Sequence, residues 1–305
     1  MPNVASIAHR SSGTRSAAQR FAIVFALPAL IVYLIFLIVP MAGTVYYSTM
    51  QWSGVTEKSF CGLENYKELF ISGEFWQVVY NTFILIGLHM IVQLPLAFGL
   101  SYLLYRTSQG FRVFRAILFI PTVISATVIG LMFTLMLNAD IGPINKLLSA
   151  AGLSGLAKNW LSDKTLALFS VSLTVVWQYI GYQMAIILAG MQGVPEEIVE
   201  SATIDGASSP RLFFNIILPM MKGTVQISLI VLITGCLKAF EHSYIMTWGG
   251  PGSASTYLAV YMYRLAYLKS NMGGGAAVGV VIILMALASV QVLNWIYYRE
   301  DHRSI

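Results

Sequence analysis

Thirteen carboxylates and four histidines are all the acid–base chemistry this 305-residue chain could offer, and their spacing assembles no catalytic set. His9, His89, His242 and His302 stand apart from one another and from acids and cysteines, so no metal site is expected. No serine–histidine–aspartate arrangement can be argued. No Gly-x-x-x-x-Gly-Lys-Ser/Thr segment is present to cradle nucleotide phosphates. This chain is therefore not expected to be an enzyme or to hold a cofactor; any ATP and magnesium would sit on another polypeptide. What its polar residues offer is recognition. Trp177, Gln178, Tyr179, Tyr182 and Gln183 set carboxamides beside aromatic rings, which suits a sugar: amides bond hydroxyls and ring faces cover C–H surface. The alternative is polar contact between helices. Lys238 and Glu241 lie three apart, hence on one face of an unbroken helix. Their pairing would offset part of the ~2.5–3.5 kcal/mol that an unpaired charge costs at mid-bilayer. Phe240, Glu241 and Tyr244 are further candidates for a solute path, with a structural ion pair or snorkelling as the other reading. His89 and Gln93 read as contacts between helices.

These residues lie in a chain that is 57% hydrophobic and 10% charged, against about 25% charged in soluble domains. Burying so much apolar surface in water would need a larger core than 305 residues enclose, so the solvent is lipid. The net charge of +5 is spread thinly, which suggests loops beside anionic lipid and argues against nucleic-acid binding. Crossing ~30 Å of hydrocarbon takes about 20 apolar residues. Six windows qualify: 21–47, 78–105, 116–137, 166–191, 225–246 and 275–297. Their apolar runs are continuous, which predicts an all-α membrane protein of six transmembrane helices and not a barrel. The first window is too long for a cleaved signal and reads as a retained span. Pro28, Pro40, Pro95 and Pro121 interrupt spans and could bend them.

The distribution of Lys and Arg predicts both termini in the cytoplasm. Arg10, Arg15, Arg20, Arg106, Arg112, Arg115, Arg211, Lys222, Arg299 and Arg303 then lie inside, against seven basic residues outside. Residues 1–20 form a cytoplasmic tail, 21–298 the membrane domain and 299–305 a second tail. Trp52, Trp76, Trp160 and Trp248 all fall at the outer interface, where indoles favour the headgroup layer. Cys61 lies outside the membrane and Cys236 inside it, so no disulfide is expected. Three external loops mix turn formers with aromatics; Asn65, Tyr66, Trp248, Gly249, Gly250 and Pro251 are candidates for docking an extracytoplasmic partner. Interfacial anchoring with tight turns would use the same residues.

One segment is out of place in such a chain. Pro195 opens a helix at its first turn, Glu196 and Glu197 favour its positive end, and Asp205-Gly206 stops it. Ser209 then caps a second helix begun by Pro210, with Leu212, Phe213, Ile216 and Ile217 as its apolar face, and Pro219 bends the chain before the fifth span. A lipid-surface helix would carry Lys and Arg on its polar face. This one carries Glu196, Glu197, Glu200 and Asp205, which points to a protein groove as its partner.

The residues Glu200-Ser-Ala202, Asp205-Gly-Ala207, Phe213, Ile216 and Leu218-Pro219 resemble the EAA loop of membrane subunits from binding-protein-dependent ABC importers. Ser201 departs from the usual alanine; serine is nearly isosteric, so close packing should survive. The likeness extends over most of the chain and is to the carbohydrate branch, through Gly62-Leu-x-Asn-Tyr66, Asn81-Thr82, Phe111-Arg-x-x-Arg115, Lys238-x-Phe240 and Thr247-x-Gly-Gly-Pro251. Within it the chain is similar to the permease type of the larger maltose subunit, without that protein's extra spans and large external domain. The resemblance implies a type I importer transmembrane domain in the bacterial inner membrane. It also implies ATPase coupling through residues 194–222, with Glu200, Ser201, Ala202, Asp205, Gly206, Ala207, Phe213, Leu218 and Pro219 in that role. The implied partners are a second homologous permease subunit, two ATPase subunits and an extracytoplasmic solute-binding protein. Oligosaccharide, monosaccharide, glycerol phosphate and sugar acid remain open as solutes. An ion-coupled secondary transporter is the rival reading, and would show paired discontinuous helices and buried acids near midplane. An intramembrane enzyme would need clustered titratable groups that are not found.

Overall fold

The computed structural model describes residues 25–55, 57–106 and 111–301. The expected cytoplasmic tail with Arg10, Arg15 and Arg20 lies outside the described residues, as does Arg303. Five long apolar helices fit the predicted spans to within a few residues: α1 (Phe25–Ser48), α3 (Gly73–Arg106), α7 (Lys164–Gln192), the pair within Lys222–Thr247, and the last helix from Met272. Between the first two spans lie a short antiparallel pair, β1 (Met50–Gln51) and β2 (Ser59–Phe60), and then α2 (Glu64–Ile71). α6 (Pro143–Ala150) follows the third span.

That third span is not one rod. α4 (Phe111–Val123) and α5 (Ala126–Met136) meet at a bend of 90° where residues 116–137 predicted a single helix. Ser125 is extended, at φ −55 and ψ 133, so the ladder stops there and leaves polar backbone at membrane depth. Such a break is tolerated where protein groups re-satisfy it. Gln178 Nε2 of α7 donates to the Ile124 carbonyl at 2.9 Å, and Thr122 Oγ1 donates to the Gln178 carbonyl at 2.9 Å. α7 can approach this closely because Gly181 has no side chain: a Cβ there would lie 2.0 Å from the Leu118 carbonyl oxygen.

The fifth span is also interrupted. α10 (Lys222–Leu237) ends before Lys238, and α11 (Glu241–Thr247) starts after the non-helical Phe240 at φ −133. The shared helical face expected for Lys238 and Glu241 therefore does not exist, and the three ion pairs among the described residues do not include them. α12 (Leu258–Tyr263) and α13 (Met272–Asp301) complete the fold.

The prolines act through helix winding more than through bending. Three π turns, Leu34–Ile38, His89–Gln93 and Phe213–Ile217, each end two residues before a proline, at Pro40, Pro95 and Pro219. A helical proline lacks an N–H and its ring clashes with the carbonyl four residues back. Widening one turn moves that carbonyl aside while the helix runs on.

Two apolar clusters hold the bundle. The outer one joins α3, α7, α10, α12 and α13 through Phe75, Leu85, Val171, Leu237, Leu258 and Val278. The other joins the opposite ends of α3 and α7 to the segment after α7, through Leu104, Met184, Leu188, Met191, Leu212 and Ile217.

Candidate functional site

The segment after α7 is a helical hairpin. α8 (Glu196–Ile204) begins after Pro195, which is the cap residue and not the first helical one. It ends in a Schellman arrangement: Ala207 N–H bonds to the Ala202 carbonyl at 3.0 Å and Gly206 N–H to that of Thr203 at 3.1 Å. Gly206 sits at φ +83, a conformation glycine enters without penalty. α9 (Ser209–Leu212) runs through the π turn to Leu218–Met220. Its cap residue is Ser208, one position earlier than expected, and the Ser209 hydroxyl is engaged by Arg106 of α3. Tyr102 donates to the Ser209 carbonyl at 3.0 Å, and its ring meets Phe213 edge-on at 5.1 Å.

The hairpin thus has two unlike sides. Leu212 and Ile217 are buried against the ends of α3 and α7, and Ala202, Phe213 and Ile216 pack on them. Glu196, Glu197, Glu200, Ser201, Asp205 and Gly206 face outward. Ile204 is 84% exposed among these acids. An apolar tip within an acidic rim is unsuited to lipid headgroups and suited to a protein pocket.

At the level of the two broken spans lies a cavity of about 320 Å³. Of the sequence candidates, Tyr179, Tyr182, Gln183 and Glu241 line it. Trp177, Gln178, Phe240 and Tyr244 do not. Trp177 lies on the outer side of α7 against Phe133, with ring centroids 5.3 Å apart. Gln178 is consumed by structure: besides its bond to Ile124, its Oε1 accepts from His242 Nε2 at 2.6 Å. Phe240 and Tyr244 stack on each other at 5.0 Å and meet Tyr263. Among the polar lining residues, sequence reasoning missed His89, Gln93, Thr122, Lys238 and His242 as site members. Pro95 was the available signal, since it sets the π turn that carries His89 and Gln93. Gln183 binds Ser228 of α10 through its amide, which is the interhelical role weighed for it.

The external candidates also divide. Asn65 is 7% exposed and its Nδ2 donates to the carbonyls of Ser48 and Met50, at 2.8 and 2.9 Å. Tyr66 bonds Ser48 Oγ at 2.6 Å. Both clamp the chain leaving α1, and neither presents an open recognition group. Trp248 is exposed at φ +53, while Gly249 is buried under Thr256. The Gly250–Pro251 bond is cis. This loop is tied to α3: Asn81 Nδ2 donates to the carbonyls of Ser253 and Thr256, and Glu74 accepts from Ser253 and pairs with Lys269 at 3.1 Å. Cys61 and Cys236 are both free thiols.

Long apolar helices, two of them broken around an internal polar cavity, and a polar hairpin rooted in the bundle are the construction of a membrane transport subunit. The chain belongs to the family of binding-protein-dependent transport system inner membrane components, whose description matches residues 93–304. It is 37% identical over 269 residues to a probable ABC transporter permease of Bacillus subtilis, covering 87% of this chain and 91% of that one. It is 33% identical to the trehalose/maltose transport system permease MalF of Thermococcus litoralis, covering 86% and 88%. A bacterial alginate ABC transporter, solved in complex with an alginate pentasaccharide-bound periplasmic protein, has the same fold. Its TM-score is 0.80 at 23% identity, over 93% of this chain and 96% of that one.

Proposed function

We propose that this permease imports a carbohydrate, driven by ATP hydrolysis on separate subunits that grip the hairpin of residues 194–222. The observation that carries the reading is the hairpin's division into an anchored apolar side and a free acidic side. A push on Glu200, Asp205 or Ile204 is delivered through Leu212 and Ile217 to α3 and α7, which form the cavity wall. The subunit itself is non-catalytic. Among the described residues there is no cluster of three or more potential metal ligands.

The cavity's charged residues, Lys238 and Glu241, are exposed at its rim, which fits closure of the pore by a second, similar permease. A solute-binding protein would dock on the external face around Trp248 and Pro251; the alginate transporter was solved in complex with a periplasmic protein of its own. The sugar names of the relatives support a carbohydrate. Both termini are assigned to the cytoplasm, the side of the hairpin. The test is a photo-crosslinking residue at Glu200 in an assembled, transport-competent complex. Capture of the ATPase subunit, strengthened or weakened by nucleotide, is expected; absence of any nucleotide-hydrolysing partner would remove the proposed coupling role.

A further inference from the structure

The inner wall of the cavity contains one polar atom that the protein leaves unserved. Gln93 is 2% exposed, and its Oε1 is the sole buried side-chain polar atom without a hydrogen-bond partner among the described residues. The rest of its amide is fixed: Nε2 donates to the Tyr179 carbonyl of α7 at 3.1 Å. That bond decides which end of the amide faces α7. The acceptor has no partner within the protein, on a side chain that lines the cavity. Four other polar side chains of the lining have partners. His89 Nδ1 bonds the Leu85 carbonyl at 2.9 Å, Thr122 bonds Gln178, Gln183 bonds Ser228, and His242 bonds Gln178. A buried acceptor without a donor is costly, and native proteins rarely retain one without a use.

Resting on the proposed transport reading, we infer that Gln93 is a specificity-determining residue whose Oε1 accepts a hydrogen bond from a hydroxyl of the passing solute. The solute class follows from the chemistry. A neutral polyhydroxylated molecule supplies the missing donor through one of its hydroxyls. A carboxylate or phosphate oxygen at the same place sets lone pair against lone pair. The π turn that ends two residues before Pro95 holds Gln93 in this position, and the bond to Tyr179 keeps the amide from turning over. Selection then occurs within the membrane as well as at the receptor.

The experiment uses the complete importer with its receptor in proteoliposomes. Labelled maltose, trehalose, glycerol 3-phosphate and galacturonate are the first probes, and monodeoxy analogues of the transported sugar the second. At saturating loaded receptor, the wild type should carry a neutral sugar and reject one monodeoxy analogue by about tenfold, the worth of one hydrogen bond. Gln93→Met should slow the parent sugar by about tenfold and carry parent and analogue alike, with half-saturation by loaded receptor unchanged. A purely structural Gln93 would instead lower every probe equally and leave the discrimination intact, which overturns the inference. So would unaltered rate and discrimination in Gln93→Met, or preferred transport of an anionic probe by the wild type. Absence of ATP-dependent uptake of any solute that the receptor binds would instead remove the transport reading beneath the inference.

Discussion

Replacing Gln178 with leucine removes the one side chain that makes the broken third span tolerable. Two groups lose their partner at once: the part-buried Ile124 carbonyl at the break, 2.9 Å from Nε2, and the buried His242 Nε2, 2.6 Å from Oε1. A buried group left unpaired costs about 1–3 kcal/mol. Measured side-chain bonds between membrane helices are weaker, about 0.6 kcal/mol on average, because partners find replacements. Ile124 has little chance of that, since it sits where the helix has stopped and Ser125 is extended. The cavity offers His242 some access to solvent. We therefore expect a loss of about 2–4 kcal/mol for Gln178→Leu, mostly from the carbonyl. At about 2–4 °C per kcal/mol for a large domain, the apparent melting midpoint should fall by about 4–16 °C. The assay is thermal unfolding in one detergent at one scan rate, with Gln178→Leu, His242→Leu and the double variant compared. Removing His242 first abolishes one of the two orphans, so the double variant should lose about 1–2 kcal/mol less than the sum of the singles. A midpoint shift below about 1 °C for Gln178→Leu would refute the assignment of Gln178 to the break, and strict additivity would refute its coupling to His242.

Other substitutions probe the remaining joints. At Gly206 a Cβ would meet nothing within 4 Å, so the penalty for a side chain is conformational alone. Gly206→Val should cost about 1–2 kcal/mol and fall on the hairpin, cutting uptake without moving the bundle's melting midpoint. Asn, which tolerates left-handed angles, should stay near wild type, and equal uptake by both variants would show that the turn is not under strain. Asn81→Leu strips two donors from the carbonyls of Ser253 and Thr256; a loss of about 2–3 kcal/mol is expected, with faster proteolysis of the external loop as its local signature. Gly181→Val drives a side chain into the Leu118 carbonyl, so α4 and α7 must separate at a cost of about 1–3 kcal/mol or more; near-normal stability would contradict the close crossing.

The spans were legible because lipid imposes a length, and length and hydropathy are linear properties of sequence. The hairpin was legible for the opposite reason, since Glu196, Glu197, Glu200 and Asp205 have no place in hydrocarbon and Gly206 marks a turn. What escaped was the interior of the bundle. Ala116 to Leu137 reads as one apolar span in which Pro121 marks a possible bend, but nothing local to it sets the angle at 90° or shows what tolerates the break, because the compensating group is Gln178, more than fifty residues away. For the same reason Gln178 looked like a ligand residue: its composition suits a sugar, and only the distance to Ile124 reveals that its hydrogen bonds are spent. Lys238 and Glu241 were paired on the assumption of helical continuity, which the turn at residues 238–240 cancels. Asn65 looked like a docking group by composition, but folding directs it inward to the carbonyls of Ser48 and Met50.

The placement of the breaks relative to the two apolar clusters suggests how a push on the hairpin would reach the cavity. α3 and α7 belong to both clusters, and α7 is continuous over 29 residues, so each ties the outer layer to the hairpin's root. α4 and α5 meet at a right angle, and α10 and α11 are separated by a turn, so these spans have a joint where the others do not. The cavity lies where the two kinds of helix meet: Tyr179 and Gln183 come from the continuous one, Thr122, Lys238 and Glu241 from beside the joints. Packed interiors resist continuous deformation, so movement concentrates where a ladder is already interrupted. On the proposed reading, rotation of α7 by the hairpin would therefore change the cavity chiefly at Ile124–Ser125 and Lys238–Phe240. Bridging the fifth-span joint with a cysteine pair across residues 237 and 241 should block uptake when oxidised and restore it when reduced. Undiminished uptake in the oxidised variant would locate the hinge elsewhere.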